Sequence, residues 1–192
     1  MVKKYGLLKI CLMVLMAVMC VMSCISAGII FSGKIPKGYE VVTEAHKTSS
    51  LIMGIGHVVN AIALICGIIY ILKGSGKNVA GLYKAFVTLV AIGMALRMAG
   101  KLVFPGFDVV AALMICSLAA LLILSFGKDL GRTKTWSLFC ILIALDIAVG
   151  ILMFDSREVF SSIHSGVTRL LLDSTIGFAI NLKYKDKAAR GK

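Results

Sequence analysis

Five stretches of this chain are long and apolar enough to cross a bilayer, and they constrain the fold more than any other feature. A spanning helix needs about 20 mostly apolar residues. Segments of about 7–31, 51–72, 79–100, 107–126 and 136–154 meet that length with few or no charges. The connections between them are short, apart from residues 32–50. The chain of 192 residues leaves no length over for a soluble domain. Composition agrees: 59% of residues are hydrophobic before counting the 19 glycines, and only 16% are charged. Soluble domains run near 45–50% apolar on a count that includes glycine. A soluble enzyme, a disordered chain and a disulfide-stapled secreted domain are excluded on these grounds.

A sixth segment, about 159–182, is different. It mixes Val167, Leu170, Leu171, Leu172, Ile176, Phe178 and Ile180 with His164, Arg169 and Asp173. Two charges cost about 5–7 kcal/mol on the insertion scale, and each large apolar residue returns about 0.3–0.6. The segment is marginal alone and needs polar partners in other helices to span. Loop charges favour spanning. With the N-terminus inside and six spans, 14 of the 21 Lys and Arg residues fall on the inner side and six on the outer, with Arg169 in the membrane. With five spans, the tail of Lys183, Lys185, Lys187, Arg190 and Lys192 would lie outside, against the positive-inside rule. The expected fold is therefore an all-α polytopic bundle of six transmembrane helices. The chain forms one integral membrane domain over 1–192, with both termini inside. The aromatic residues Tyr5, Tyr70, Tyr83, Trp136 and Tyr184 fall at the expected inner ends, where amphipathic rings favour the headgroup level. Ser49 and Ser50 stand where they could cap the second helix, and Pro105-Gly106 separates the third from the fourth.

Lys3 and Lys4 ahead of an apolar run also suit a signal peptide, and Val21-Met22-Ser23-Cys24 loosely suits lipoprotein processing. No polar mature start follows, so the segment reads as a span. The loop 32–50 is a lid or a plain connector. The net charge of +12 belongs to inner loops rather than to nucleic-acid binding. The six cysteines all lie in apolar stretches without a C-x-x-C pair, which points to small buried hydrophobes rather than disulfides or a zinc site.

Ionisable side chains inside a bilayer are expensive, so they are functional candidates by default. Asp146 sits in the fifth helix, His57 and Asn60 lie one turn apart on the second, and Arg97 is near the outer end of the third. His164, Ser165, Thr168, Arg169 and Asp173 follow one arc of the sixth. Together His57, Asn60, Arg97, Asp146, His164, Arg169 and Asp173 would line a polar pocket open from outside. The bland alternative is structural pairing, with Asp173 on Arg169 at i,i+4 and Asp146 on Arg97 or Arg169.

No cofactor or metal is expected. His57 and His164 lie at similar depth, an arrangement that would suit axial haem ligation. Met13, Met16, Met19 and Met22 beside Cys20 and Cys24 would suit Cu(I), but helical spacing spreads them around the axis. The sequence lacks H-E-x-x-H, G-x-S-x-G and Walker spacing, so no catalytic residue is assigned and enzymatic function is not the favoured reading. Small-x-x-x-small pairs at Ser23/Ala27, Ala63/Gly67, Ala91/Ala95 and Ala144/Ala148 permit close helix packing, within the bundle or with another membrane subunit.

Two functions follow. In the first, the protein binds or transports a small polar or anionic solute through the pocket. In the second, it is a non-catalytic accessory or assembly subunit. Its partners are the lipid bilayer, the solute, and another membrane subunit or a second copy, with no nucleic acid. Its expected place is a cell membrane, the bacterial cytoplasmic membrane by composition.

Overall fold

The computed structural model describes residues 2–32, 44–74, 79–101, 108–154 and 159–190. These residues form six α-helices and, among them, no strand: α1 Val2–Phe31, α2 Glu44–Lys73, α3 Val79–Lys101, α4 Asp108–Phe126, α5 Arg132–Leu152 and α6 Val159–Arg190. Helix is the outcome because a chain in lipid must satisfy every backbone N–H and C=O within the segment itself. Helices α1 to α5 each contain a stretch of at least 18 residues apolar enough to cross a membrane. Helix α6 is 32 residues long and is not among those five.

Helix ends reach beyond the apolar stretches. Helix α1 starts at Val2 and α2 at Glu44, while α6 runs on to Arg190. Hydropathy marks only where side chains prefer lipid, whereas backbone hydrogen bonding continues into charged turns. This overturns one expected cap. Ser49 lies five residues inside α2 and donates its hydroxyl to the Gly100 carbonyl of α3. Pro105, Gly106 and the loop centre 33–43 lie outside the described residues.

Each helix packs on its neighbour in sequence, and α6 returns to α1 and α2, closing the ring. The core is apolar: Met16, Leu64, Phe86, Leu121, Leu142, Leu172 and Ile176 are all buried. Apolar side chains also cover the outside, with Leu7, Leu8, Leu72, Ile151 and Phe154 each about half or more exposed. Meanwhile Ser23, Asn60, Ser117, His164, Arg169 and Asp173 are buried. A water-soluble protein puts its large apolar side chains inside and leaves charges at the surface. This molecule leaves large apolar side chains outward all round and turns several charges in, which suits a lipid surround.

Helix α6 carries that inversion most clearly. Its outward positions include Val159, Ile163, Val167 and Leu170, all apolar. Its inward positions include His164, Thr168, Arg169, Asp173 and Thr175. It runs antiparallel along α1. His164 meets Ser23 near one end, Thr175 meets Met16 further along, and the Lys9 ammonium sits 4.8 Å above the Phe178 ring near the other. Where α6 crosses α5, Gly177 lies so near Phe139 that a Cβ would stand 2.7 Å from its ring.

At the basic end, the α4–α5 turn is tied to α6. Asp129 accepts the Tyr184 hydroxyl at 3.1 Å and the Lys183 ammonium at 3.4 Å. Gly131 has φ of 80°, a conformation that favours glycine at the start of α5. Tyr70 and Tyr83 meet nearby with their rings tilted by 39° and centroids 5.3 Å apart, and Thr135 bonds Tyr184 at 2.8 Å, so these aromatics gather at one end.

The cysteines do not behave as buried hydrophobes. Cys11, Cys24, Cys116 and Cys140 face outward, and Cys20 and Cys66 are half-buried; all six are free thiols. A lipid-facing surface accepts a small apolar thiol as readily as the core does, so apolar context alone does not place it inside.

Candidate functional site

Polar side chains from all six helices gather in the half of the bundle away from the basic turns. Antiparallel packing causes this: the ends of α1, α3 and α5 and the starts of α2, α4 and α6 meet there. Asp146 stands six residues before α5 ends at Leu152, about 9 Å along the axis. Arg97 is four residues before the end of α3, and His164 five residues after the start of α6.

The centre is an ion pair. The Arg169 Nε donates to Asp146 Oδ2 at 2.6 Å, and both side chains are under one-tenth exposed. Ser117 of α4 donates its hydroxyl to Asp146 Oδ1 at 2.5 Å. The Arg169 Nη2 reaches the Ser117 oxygen at 3.4 Å. Both oxygens of Asp146 therefore hold a donor, and three helices are joined at one carboxylate. Charge-assisted hydrogen bonds of this kind are the strong ones.

Asp173, one turn further along α6, is held differently. Its nearer oxygen lies 3.6 Å from Arg169 Nη2, which is ion-pair distance but too long for a hydrogen bond. Neither of its oxygens has a hydrogen-bond partner, although the side chain is only 1% exposed.

Arg97 approaches α6 from α3 and donates to the Ser165 hydroxyl. Among the described residues it has no carboxylate at ion-pair distance, while Arg169 has two. His57 and His164 come together, their ring centroids 5.7 Å apart. His164 Nε2 lies 3.4 Å from the Ser23 hydroxyl, and His57 Nδ1 is buried without a partner, as is the Thr168 hydroxyl. Arg97 is an electrostatic neighbour of both histidines and of the Arg169–Asp146 pair, so it bridges the two groups. Asn60 is buried against α3, where Gly93 gives it room; a Cβ there would collide with its amide oxygen.

The seven sequence candidates thus divide. Asp146, Arg169 and Asp173 form one cluster, His57 and His164 a second, with Arg97 between them and Asn60 on the α2–α3 contact. Two contributors were not singled out from sequence as site residues, Ser117 and Ser23. Among the described residues no group of three His, Cys, Asp or Glu gathers as metal ligands would.

A cleft of about 340 Å³ opens between α5 and α6. Asp146, Ile147, Gly150, Ile151, Phe154, Gly166 and Leu170 line it. Most of its wall is apolar and outward-facing, with Ile147, Ile151, Phe154 and Leu170 all exposed.

No family model matches the chain, and no curated protein or solved structure matches it. The class is set by the fold: a multi-pass helical chain with five apolar spans, built as an integral membrane protein.

Proposed function

We propose that the protein is a six-span membrane protein, with both termini on the basic side, that binds or carries a small anionic or polar solute at the Arg97–histidine group. The observation that carries this reading is Arg97. A guanidinium has five donors and no acceptor. Among the described residues it has one hydrogen bond, to a neutral hydroxyl, and no carboxylate at ion-pair distance. Two imidazoles are its electrostatic neighbours, one with a buried nitrogen that lacks a partner. Such a group complements a carboxylate or a similar anion entering from the end away from the basic turns. Arg169, the other buried arginine, is already occupied by Asp146 and Asp173.

Six spans are supported by α6 lying along α1 with apolar residues outward and charges inward. The orientation is supported by 14 basic residues on one side against six on the other.

A second reading, an accessory subunit whose polar residues only fix helix register, draws on Asp146. Both its oxygens hold protein donors, as in a structural pair. Two of the four small-residue pairs, Ser23/Ala27 and Ala63/Gly67, are consumed inside the bundle, whereas Ala95 and Ala144 face outward.

Native mass spectrometry of the full chain in mild detergent separates the two. The solute reading predicts a small-molecule adduct on the wild type that disappears in Arg97→Gln, with helicity unchanged. A clean mass with a co-purifying membrane subunit, in wild type and variant alike, would favour the accessory reading.

A further inference from the structure

The Asp173 carboxyl group is the least satisfied ionisable group in the described bundle. It is 1% exposed, and neither oxygen accepts a hydrogen bond. An ionised carboxylate has about four acceptor sites and no donor. Burying it without hydrogen bonds is strongly unfavourable even after relaxation. Arg169 offsets this only partly, because its Nε is committed to Asp146 and its Nη2 stands 3.6 Å away. Asp146 and Asp173 share one guanidinium, Arg169 standing 2.6 Å from the first and 3.6 Å from the second, which brings the two carboxylates side by side. Two ionised carboxylates that close repel, whereas two that share one proton form a hydrogen bond.

We propose that Asp173 is a proton-binding site: its carboxyl group carries a proton at neutral pH and donates it to the Asp146 carboxylate, which Arg169 and Ser117 keep ionised. The hydrogen bonds decide which partner holds the charge. Asp146 has two donors and Asp173 none. Protonation gives Asp173 a donor where it had only unmet acceptors. The O–H bond forms with a proton taken up from water.

The surrounding charges are few. On α6 itself Arg169 is adjacent and His164 lies further along; α5 brings Asp146, α3 brings Arg97, and α2 brings His57. From α4 comes the neutral Ser117 hydroxyl, and from α1 the Met16 thioether beside Thr175. Loss of the proton would leave two carboxylates competing for Arg169. The site goes beyond the solute reading and does not depend on a bound solute.

The test is infrared spectroscopy of the full chain in lipid, with isotope-labelled aspartate to mark the bands. The expected result is a protonated-carboxyl stretch at neutral pH that carries the isotope shift and moves on deuterium exchange. It disappears in strongly alkaline buffer and in Asp173→Asn, and persists in Asp129→Asn, which alters an exposed carboxylate. The wild-type spectrum is decisive even if Asp173→Asn does not fold. No isotope-shifted carboxyl band at neutral pH would overturn the proposal, and so would a band that persists in a folded Asp173→Asn protein.

Discussion

Arg97 and Arg169 carry the same charge on helices that touch, yet the surroundings give them different work. Arg169 holds two carboxylates and a serine oxygen at the meeting of α4, α5 and α6. Removing one partner of a buried pair leaves an uncompensated charge and costs about 3–5 kcal/mol. Arg97 holds one serine, and a hydrogen bond that involves a charged group is worth about 1.5–3 kcal/mol net. Arg169→Gln is therefore expected to destabilise the bundle severely and Arg97→Gln less, as read by thermal unfolding of both variants in the same detergent. Equal losses would mean that Arg97 is a structural partner too. At this scale the sequence was informative about which residues are costly and uninformative about who meets whom. Asp146 had Arg97 and Arg169 as candidates, and only the packed helices select Arg169. Ser117 carried no signal of its own in Ile115-Cys116-Ser117-Leu118, since serine is common in spanning helices.

At the scale of the helix, α6 is where hydropathy and structure diverge. Summed over its length, polar residues cancel apolar ones, so a window average registers a weak span. The average discards direction. Val159, Ile163, Val167 and Leu170 point out, while His164, Arg169 and Asp173 point in. The arc containing the polar residues was legible from spacing. That the arc faces other helices rather than water was not, because the partners lie far away in sequence, on α1, α2 and α5. The contact with α5 depends on Gly177 admitting the Phe139 ring. Gly177→Val would force that ring aside, and overpacking of this kind costs about 1–3 kcal/mol. The expected outcome is a lower unfolding temperature together with earlier proteolysis of α6 than of the other helices. Cleavage at wild-type rates would show that α6 docks without this contact. The five other helices were legible because each is apolar almost all round, a pattern that needs no partner to interpret.

At the scale of the whole molecule, charge and packing point the same way. The basic residues collect in the turns at one end, with the tilted tyrosines and the Asp129 anchor, and the buried polar cluster lies in the other half. The proposed entry of an anion from the outer side, with positive loops inside, requires this polarity. The arrangement depends on α6 crossing the bilayer as a sixth span, because only then do Arg169 and Asp173 reach Asp146 within the membrane. A side-sensitive reporter fused in turn after Phe154 and at Lys192 tests that crossing directly. The two fusions should report opposite sides of the membrane, with the Lys192 reporter on the same side as the N-terminus. If both reported the same side, α6 would not cross, and the buried cluster would have to be abandoned.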